Sequence, residues 1–246
     1  GNQLPYLDGY DFRVVDDAEA MVLRATAGEI DLQDRTIASL RNKSVLFDGQ
    51  QKGRYRLFEV AAPHHNTMAI FFNHNHANPA KRALFQTKDF RVALSYAINR
   101  KQIIDLVYYG QGEPWQIAPR KESVAYDEKI AKQFTEYDKV KANQLLDAIK
   151  LDKKDSAGFR LGSDGQRVIV TVEVPSDFRP DWTDVLETVK QNWKEVGVDL
   201  QIRPLGRSLI RNRALANEHE AFVFLGNGGL DVDLFLEPDN FLPYDP

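Results

Sequence analysis

Apolar and polar positions alternate at Tyr10–Val15, which predicts a short strand. Asp16 is placed to cap a helix running to about Ala27, where Gly28 closes it. An extended piece at Glu29–Leu32 would complete a compact β-α-β start. A weaker helical segment spans about Thr36 to Leu46, and Arg54–Val60 and Thr67–Asn73 read as strands on either side of Pro63-His64-His65. The stretch KDFRVALSYAINRKQIIDLVYYGQG then carries two helical faces that are out of phase. Phe90, Leu94, Ala97 and Ile98 mark one, and Ile103, Ile104, Val107 and Tyr108 mark the other. Two helices meeting at a corner explain the shift. Thr87 is placed to cap the first, Asn99 with Gln102 forms a variant capping box for the second, and Gly110 ends it in a left-handed conformation.

The stretch from Gly110 to Thr135 holds Pro114 and Pro119 and is too long for a simple connection, so a functional loop or one packed against something is expected. Beyond it Asp138 caps a helix whose inward positions are Ala142, Leu145, Leu146 and Ile149. The turn-rich GFRLGSDG introduces a strand at Arg167–Val174, followed by a helix from Asp181 with Leu186, Val189, Trp193 and Val196 inward and Gly197 as its stop. A strand at Val198–Arg203, a helix at about Arg207 to Ala216 and a strand at Ala221–Leu225 complete a βαβαβ series. No linker rich in Pro, Gly or Ser divides the chain. The expectation is therefore one α/β domain over 1–246, a mixed sheet flanked by helices.

Composition narrows the function classes. With 43% apolar residues among 246, a packed core is available, and the absence of cysteine removes thiol chemistry, disulfides and zinc-thiolate sites. A net charge of -4, with basic residues spread among acidic ones, gives no footprint for nucleic acid or anionic lipid. No apolar run approaches the roughly 20 residues that span a bilayer, and GNQLPYLDGY lacks the cationic start and apolar centre of a signal peptide.

Candidate chemistry is sparse. His64, His65, His74 and His76 are the tightest set of potential metal ligands, but they sit at a strand end and in an Asn-rich loop with no carboxylate to complete a ligand set, so no metal or other cofactor is expected. There is no G-x-S-x-G, no Walker loop and no G-x-G-x-x-G; Gly206-Arg207-Ser208 lacks the second glycine. Of the acidic pairs, Asp16/Asp17 belongs to a helix cap. Asp231/Asp233 follows Gly226-Asn227-Gly228-Gly229 at the carboxyl end of a buried strand, where open α/β sheets bind ligands and glycines admit close backbone approach. A plain surface turn is the alternative there. Trp115, Tyr108, Tyr109, Phe71 and Phe72 could line a pocket, although Phe71 and Phe72 point to opposite faces of their strand.

Four landmarks, AGEIDLQ (Ala27–Gln33), DFRVALSYAINRKQI (Asp89–Ile103), YDKVKANQLLD (Tyr137–Asp147) and VKQNWKEVGVDLQIRPL (Val189–Leu205), are spread in order across most of the chain. Together they resemble the extracytoplasmic solute-binding proteins of ABC importers for dipeptides, oligopeptides and nickel. The resemblance implies one lobe of a periplasmic-binding-protein-like clamshell of the type II, peptide-binding class. Such proteins are about twice this length, so the first lobe would be absent here. It further implies a peptide held between lobes, closure read by a membrane permease, a periplasmic location and no catalysis. Residue by residue, Gly226, Asn227 and Gly228 would pair with a peptide main chain as an added strand. Asp231 would neutralise its α-amino group, and Asn73 matches an asparagine near the cleft. The chain departs from the pattern in having Gly-Asn-Gly-Gly-Leu where Gly-Trp usually precedes the acidic residue. Another solute, whether oligosaccharide, opine-like compound or chelated metal, is the alternative within the family. Outside it stands a small α/β hydrolase using Asp231 and a histidine.

Overall fold

A computed structural model describes residues 6–15, 17–33, 37–60, 62–226 and 228–232. Asp16, Asn227 and Asp233, and the start of the helix expected from Thr36, lie outside the described residues. The contacts divide the chain into two compact units, Gly1–Val60 and Ala61–Pro246.

In the first unit α1 (Ala18–Ala27) is capped by Asp17, whose carboxylate accepts from the Ala20 N–H at 2.7 Å, and Gly28 terminates it at φ 79°. A single 3-10 turn (Leu40–Asn42), α2 (Lys43–Asp48) and α3 (Gln50–Gly53) follow. The backbone of Gly53 passes so close to Gly28 that a β-carbon on Gly28 would stand 2.8 Å from the Gly53 oxygen. Val22, Ala25, Ile37 and Leu46 form a small core. The strands expected at Tyr10–Val15, Glu29–Leu32 and Arg54–Val60 are not formed. Tyr10, Phe12 and Val14, the apolar half of the alternation, are 76%, 85% and 91% exposed. Alternation shows which face a strand would bury, and among the described residues no strand pairs with this segment.

The second unit is built on a four-stranded mixed sheet of β1 (Ala69–Phe72), β2 (Ile169–Pro175), β3 (Asp199–Leu205) and β4 (Ala221–Phe224), in the order β1-β4-β2-β3. β1 runs antiparallel to β4 with Ala69 opposite Phe224 and Phe72 opposite Ala221, while β2 is parallel to both β3 and β4. β2, inside the sheet, is buried along almost its whole length and apolar except at Thr171 and Glu173, in keeping with a strand covered on both faces. β3 lies at the edge of the sheet, which is where a strand proline, here Pro204, is tolerated.

Between β1 and β2 come α4 (Pro79–Gln86), α5 (Lys88–Tyr96), α6 (Arg100–Val107), the five-residue α7 (Glu128–Lys132) and α8 (Lys139–Ala148). The corner between α5 and α6 is as expected: the Asn99 side chain accepts from the Gln102 N–H at 3.1 Å. Thr87, by contrast, makes no side-chain cap for α5, because its hydroxyl donates back to the Ala83 carbonyl of α4 at 2.8 Å. α9 (Asp181–Glu195) and α10 (Arg207–Leu215) connect the last three strands. α9 buries Trp182, Val185, Leu186, Val189 and Trp193 into a core shared with Phe90, Leu94, Leu146, Val170, Val172 and Val223. On the other sheet face Glu173, 1% exposed, accepts from Arg213 of α10 at 2.8 Å.

Candidate functional site

Three separate segments converge at the carboxyl end of β4. The His65 N–H donates to the Gly226 carbonyl at 2.5 Å, the Gly229 N–H to the Pro63 carbonyl at 2.7 Å, and the Arg120 N–H to the Gly229 carbonyl at 2.9 Å. The glycine segment is thus clasped between residues 63–66 and the loop at 120–124. Its composition follows from that fit. A β-carbon on Gly229 would lie 2.7 Å from the backbone of Pro63 and His64, and Gly228 has φ 88°. Asp231 accepts from the Ser123 hydroxyl at 2.5 Å and from the Val124 N–H at 3.2 Å, fastening the loop to the segment.

The sequence-derived residues divide accordingly. Gly226, Gly228 and Asp231 belong to this rim, and Asn227 lies between them outside the described residues. Asn73 is at the opposite end of β1, about 13 Å of strand away at the usual rise. Its amide there is fully engaged, donating to Asn217 Oδ1 and the His219 carbonyl, each at 2.8 Å, and accepting from the Asn75 N–H at 2.9 Å. The four histidines split in the same way, with His64 and His65 before β1 and His74 and His76 after it. Among the described residues no group of three or more His, Asp or Glu is placed to hold a metal ion.

Next to the rim opens a cavity of about 530 Å³, bounded by β1, α5, α6, α9 and the loop 111–122. Asn66 stands where the two meet. Its Nδ2 donates to the Trp115 carbonyl at 3.1 Å, while its Oδ1, 3.1 Å from where a β-carbon on Gly226 would be, is buried and accepts no hydrogen bond from any described residue. Trp115 is held in place by three contacts. It stacks on Tyr126 at 5.9 Å, lies under the Lys132 ammonium at 4.5 Å, and donates through its indole to the Ala118 carbonyl. Lys132 and Lys121 also pair with Glu113 and hold its carboxyl below the usual range. Deeper in, burial pulls Arg100 down to about 10, against the opposing pull of Glu136. Its guanidinium is spent on Ser95 and the Thr135 carbonyl. Burial, with Asp181 beside it, pushes the Tyr108 phenol up, and burial likewise raises Asp181.

The sequence singles out His64 and His65 only as potential metal ligands and gives no sign that 63–66 and 120–124 clasp the glycine segment, although the length of the loop after Gly110 marks it as functional or packed. Among the described residues no helix is long and apolar enough to cross a membrane.

Comparison with known proteins gives a consistent picture. The family model described as bacterial extracellular solute-binding proteins, family 5 Middle, matches residues 1–243. A probable ABC transporter-binding protein of Deinococcus radiodurans is 27% identical over 208 residues, 82% of this chain and 34% of the relative. A solved oligopeptide-binding protein OppA superposes with a TM-score of 0.74 at 33% identity, over 94% of this chain and 36% of its own. The fold is shared as well by AppA from Bacillus subtilis, solved in complex with a nonapeptide, with a TM-score of 0.68 at 21% identity over 86% and 39% of the two chains. The chain therefore spans about a third of the length of the proteins it matches.

Proposed function

The chain belongs to the bacterial extracellular solute-binding proteins of family 5, and from that premise we propose that it forms one lobe of the substrate-binding component of an ABC importer for peptides. The whole protein is then a two-lobed clamshell outside the cytoplasmic membrane, whose other lobe is contributed by sequence beyond this chain and whose closed form a membrane permease reads. It performs no chemistry. The relatives are named as binding proteins, and the Asp231 carboxylate that a hydrolase would need is occupied by Ser123 and Val124.

The observation that carries the reading is the rim itself. Gly226, Gly228 and Asp231 stand at the carboxyl end of parallel strands, the usual binding edge of an open α/β sheet, and they are braced by two other segments. A braced backbone can present main-chain groups to an extended peptide at low ordering cost, which gives affinity with little dependence on sequence. In this arrangement Asp231 orders the rim through Ser123, and Asn73 supports the far end of the sheet without touching the ligand.

Native mass spectrometry of the full-length protein, purified without denaturation, tests the proposal. Retained masses that fragment as peptides, and displacement by added tripeptides in calorimetry, are expected. Retention of a sugar or a metal chelate, with no heat from any peptide, would overturn the peptide assignment.

A further inference from the structure

We infer that Arg100 is a positioning residue for ligand binding: its guanidinium closes the base of the loop 116–134, and the loop passes that order on to the clasp around Gly229 and Asp231. This rests on the reading of that rim as the binding edge.

The corner between α5 and α6 leaves Arg100 to be explained. Asn99 caps α6, and Arg100 takes no part in that cap. Its Nη1 donates to the Ser95 carbonyl at 2.8 Å and to the Thr135 carbonyl at 3.4 Å, and its Nη2 to the Ser95 hydroxyl at 2.8 Å. All three acceptors are uncharged, so this half-buried cation gives up water for neutral partners. Stability alone is a poor reason to keep it there.

Ser95 is the node. Its hydroxyl accepts from Arg100 and from Gln116 Nε2, the latter at 3.2 Å, and donates to the Phe134 carbonyl at 2.7 Å. One donated and two accepted bonds exhaust a hydroxyl. Gln116 Nε2 also donates to the Gln133 carbonyl at 2.9 Å, so the two ends of the loop are drawn together on α5. Phe134, whose carbonyl is gripped there, has φ 57°, a left-handed conformation that a residue other than glycine keeps where its surroundings impose it.

The same loop meets the rim. Arg120, four residues after Gln116 and so within about 14 Å of chain, donates its N–H to the Gly229 carbonyl at 2.9 Å, and Ser123 and Val124 hold Asp231. A loop tied at its base has less freedom to lose when its far part is ordered. Arg100 thus lowers the ordering cost of binding at the rim by acting through Ser95 and not on the ligand. A lysine cannot do the same, because a point charge on a flexible stem does not span three acceptors as a planar fork does.

Amide hydrogen exchange and calorimetry with trialanine, both on the full-length protein, test the inference. Arg100→Lys should speed exchange at the Arg120, Val124 and Gly229 amides roughly tenfold and weaken trialanine binding by a similar factor, while the β2 amides keep their protection. Ser95→Ala, a change that suits a helix and carries little risk to folding, should do the same. The double variant should be no worse than the more damaging single one, since both cut one path. Asn73→Ala, which weakens the far end of the sheet, should leave the three amides and the affinity alone, and a purely structural Arg100 would behave as it does. Unchanged exchange at the three amides in both single variants, faster exchange with trialanine affinity intact, or additive losses in the double variant would each overturn the role. If the unaltered protein binds no tripeptide, the peptide reading falls by itself, and exchange at the rim decides whether Arg100 orders it.

Discussion

The two ends of β1 carry asparagines in opposite circumstances. At the far end, the N–H of Asn73 is engaged by the Glu220 carbonyl and its side-chain amide by Asn217, His219 and Asn75. At the near end, Asn66 donates to Trp115, and its buried Oδ1, beside a cavity, accepts from no described residue. A saturated amide has no capacity left for a ligand, whereas an unsaturated one keeps a standing cost that a ligand can remove. Residue type therefore says little about role; the tally of partners does.

The contrast can be broken by mutation. Asn73→Ala should be the most damaging change to stability. It deletes three hydrogen bonds and strands the buried His219 carbonyl, for a loss of roughly 3 kcal/mol and roughly 5–10 °C in thermal unfolding of this unit. Peptide affinity measured below the transition should not move. Gly229→Ala comes next, since a β-carbon 2.7 Å from the Pro63 and His64 backbone forces the clasp apart. We expect a loss of about 1–3 kcal/mol in stability, accompanied by a loss of peptide affinity that Asn73→Ala does not cause. Asn66→Ala should cost at most about 1 kcal/mol in stability, because one hydrogen bond is lost and one unpaired acceptor disappears with it. Its affinity for peptides should drop about tenfold in calorimetry. If Asn66→Ala and Asn73→Ala proved alike in both measurements, the functional distinction between the two ends would collapse.

The smallest effect concerns pH. Burial holds His219, next to Asn73, below its ordinary value of 6.5, with His76 and Arg213 acting in the same direction and Glu173 against them. A histidine kept neutral by the fold contributes stability above its unfolded value, and that contribution is lost as pH falls through 6.5. Thermal unfolding should therefore weaken from pH 7.5 to 5.5, and His219→Gln should flatten part of that slope. Ligand affinity over the same range should not follow it.

Helix boundaries can be read from the sequence because caps are local. Asn99 with Gln102, Asp138 with Lys141 and the left-handed Gly197 each settle an end within four residues. The Asn78-Pro79 pair carries the same kind of information, a cap followed by a proline at the first helical position, and α4 follows it. Strands are different. The alternation at Tyr10–Val15 is regular and β4 is an unbroken apolar run, yet among the described residues β4 is paired and Tyr10–Val15 is not, and the partners of β4 lie up to about 150 places away in sequence. The rim glycines and Asp231 stand out by composition. Their clasp by residues 63–66 and 120–124 does not, because it joins parts of the chain more than a hundred residues apart, as the bond from Ser123 to Asp231 does.

The rim of the sheet farthest from β1 has a consequence for the molecule in concentrated solution. β3 carries Arg203 and Pro204 just before its last residue, Leu205, a guanidinium and a ring that cannot donate a main-chain proton, so a second copy finds no clean row of groups to zip onto. Self-association through that border is disfavoured by the chemistry of two side chains.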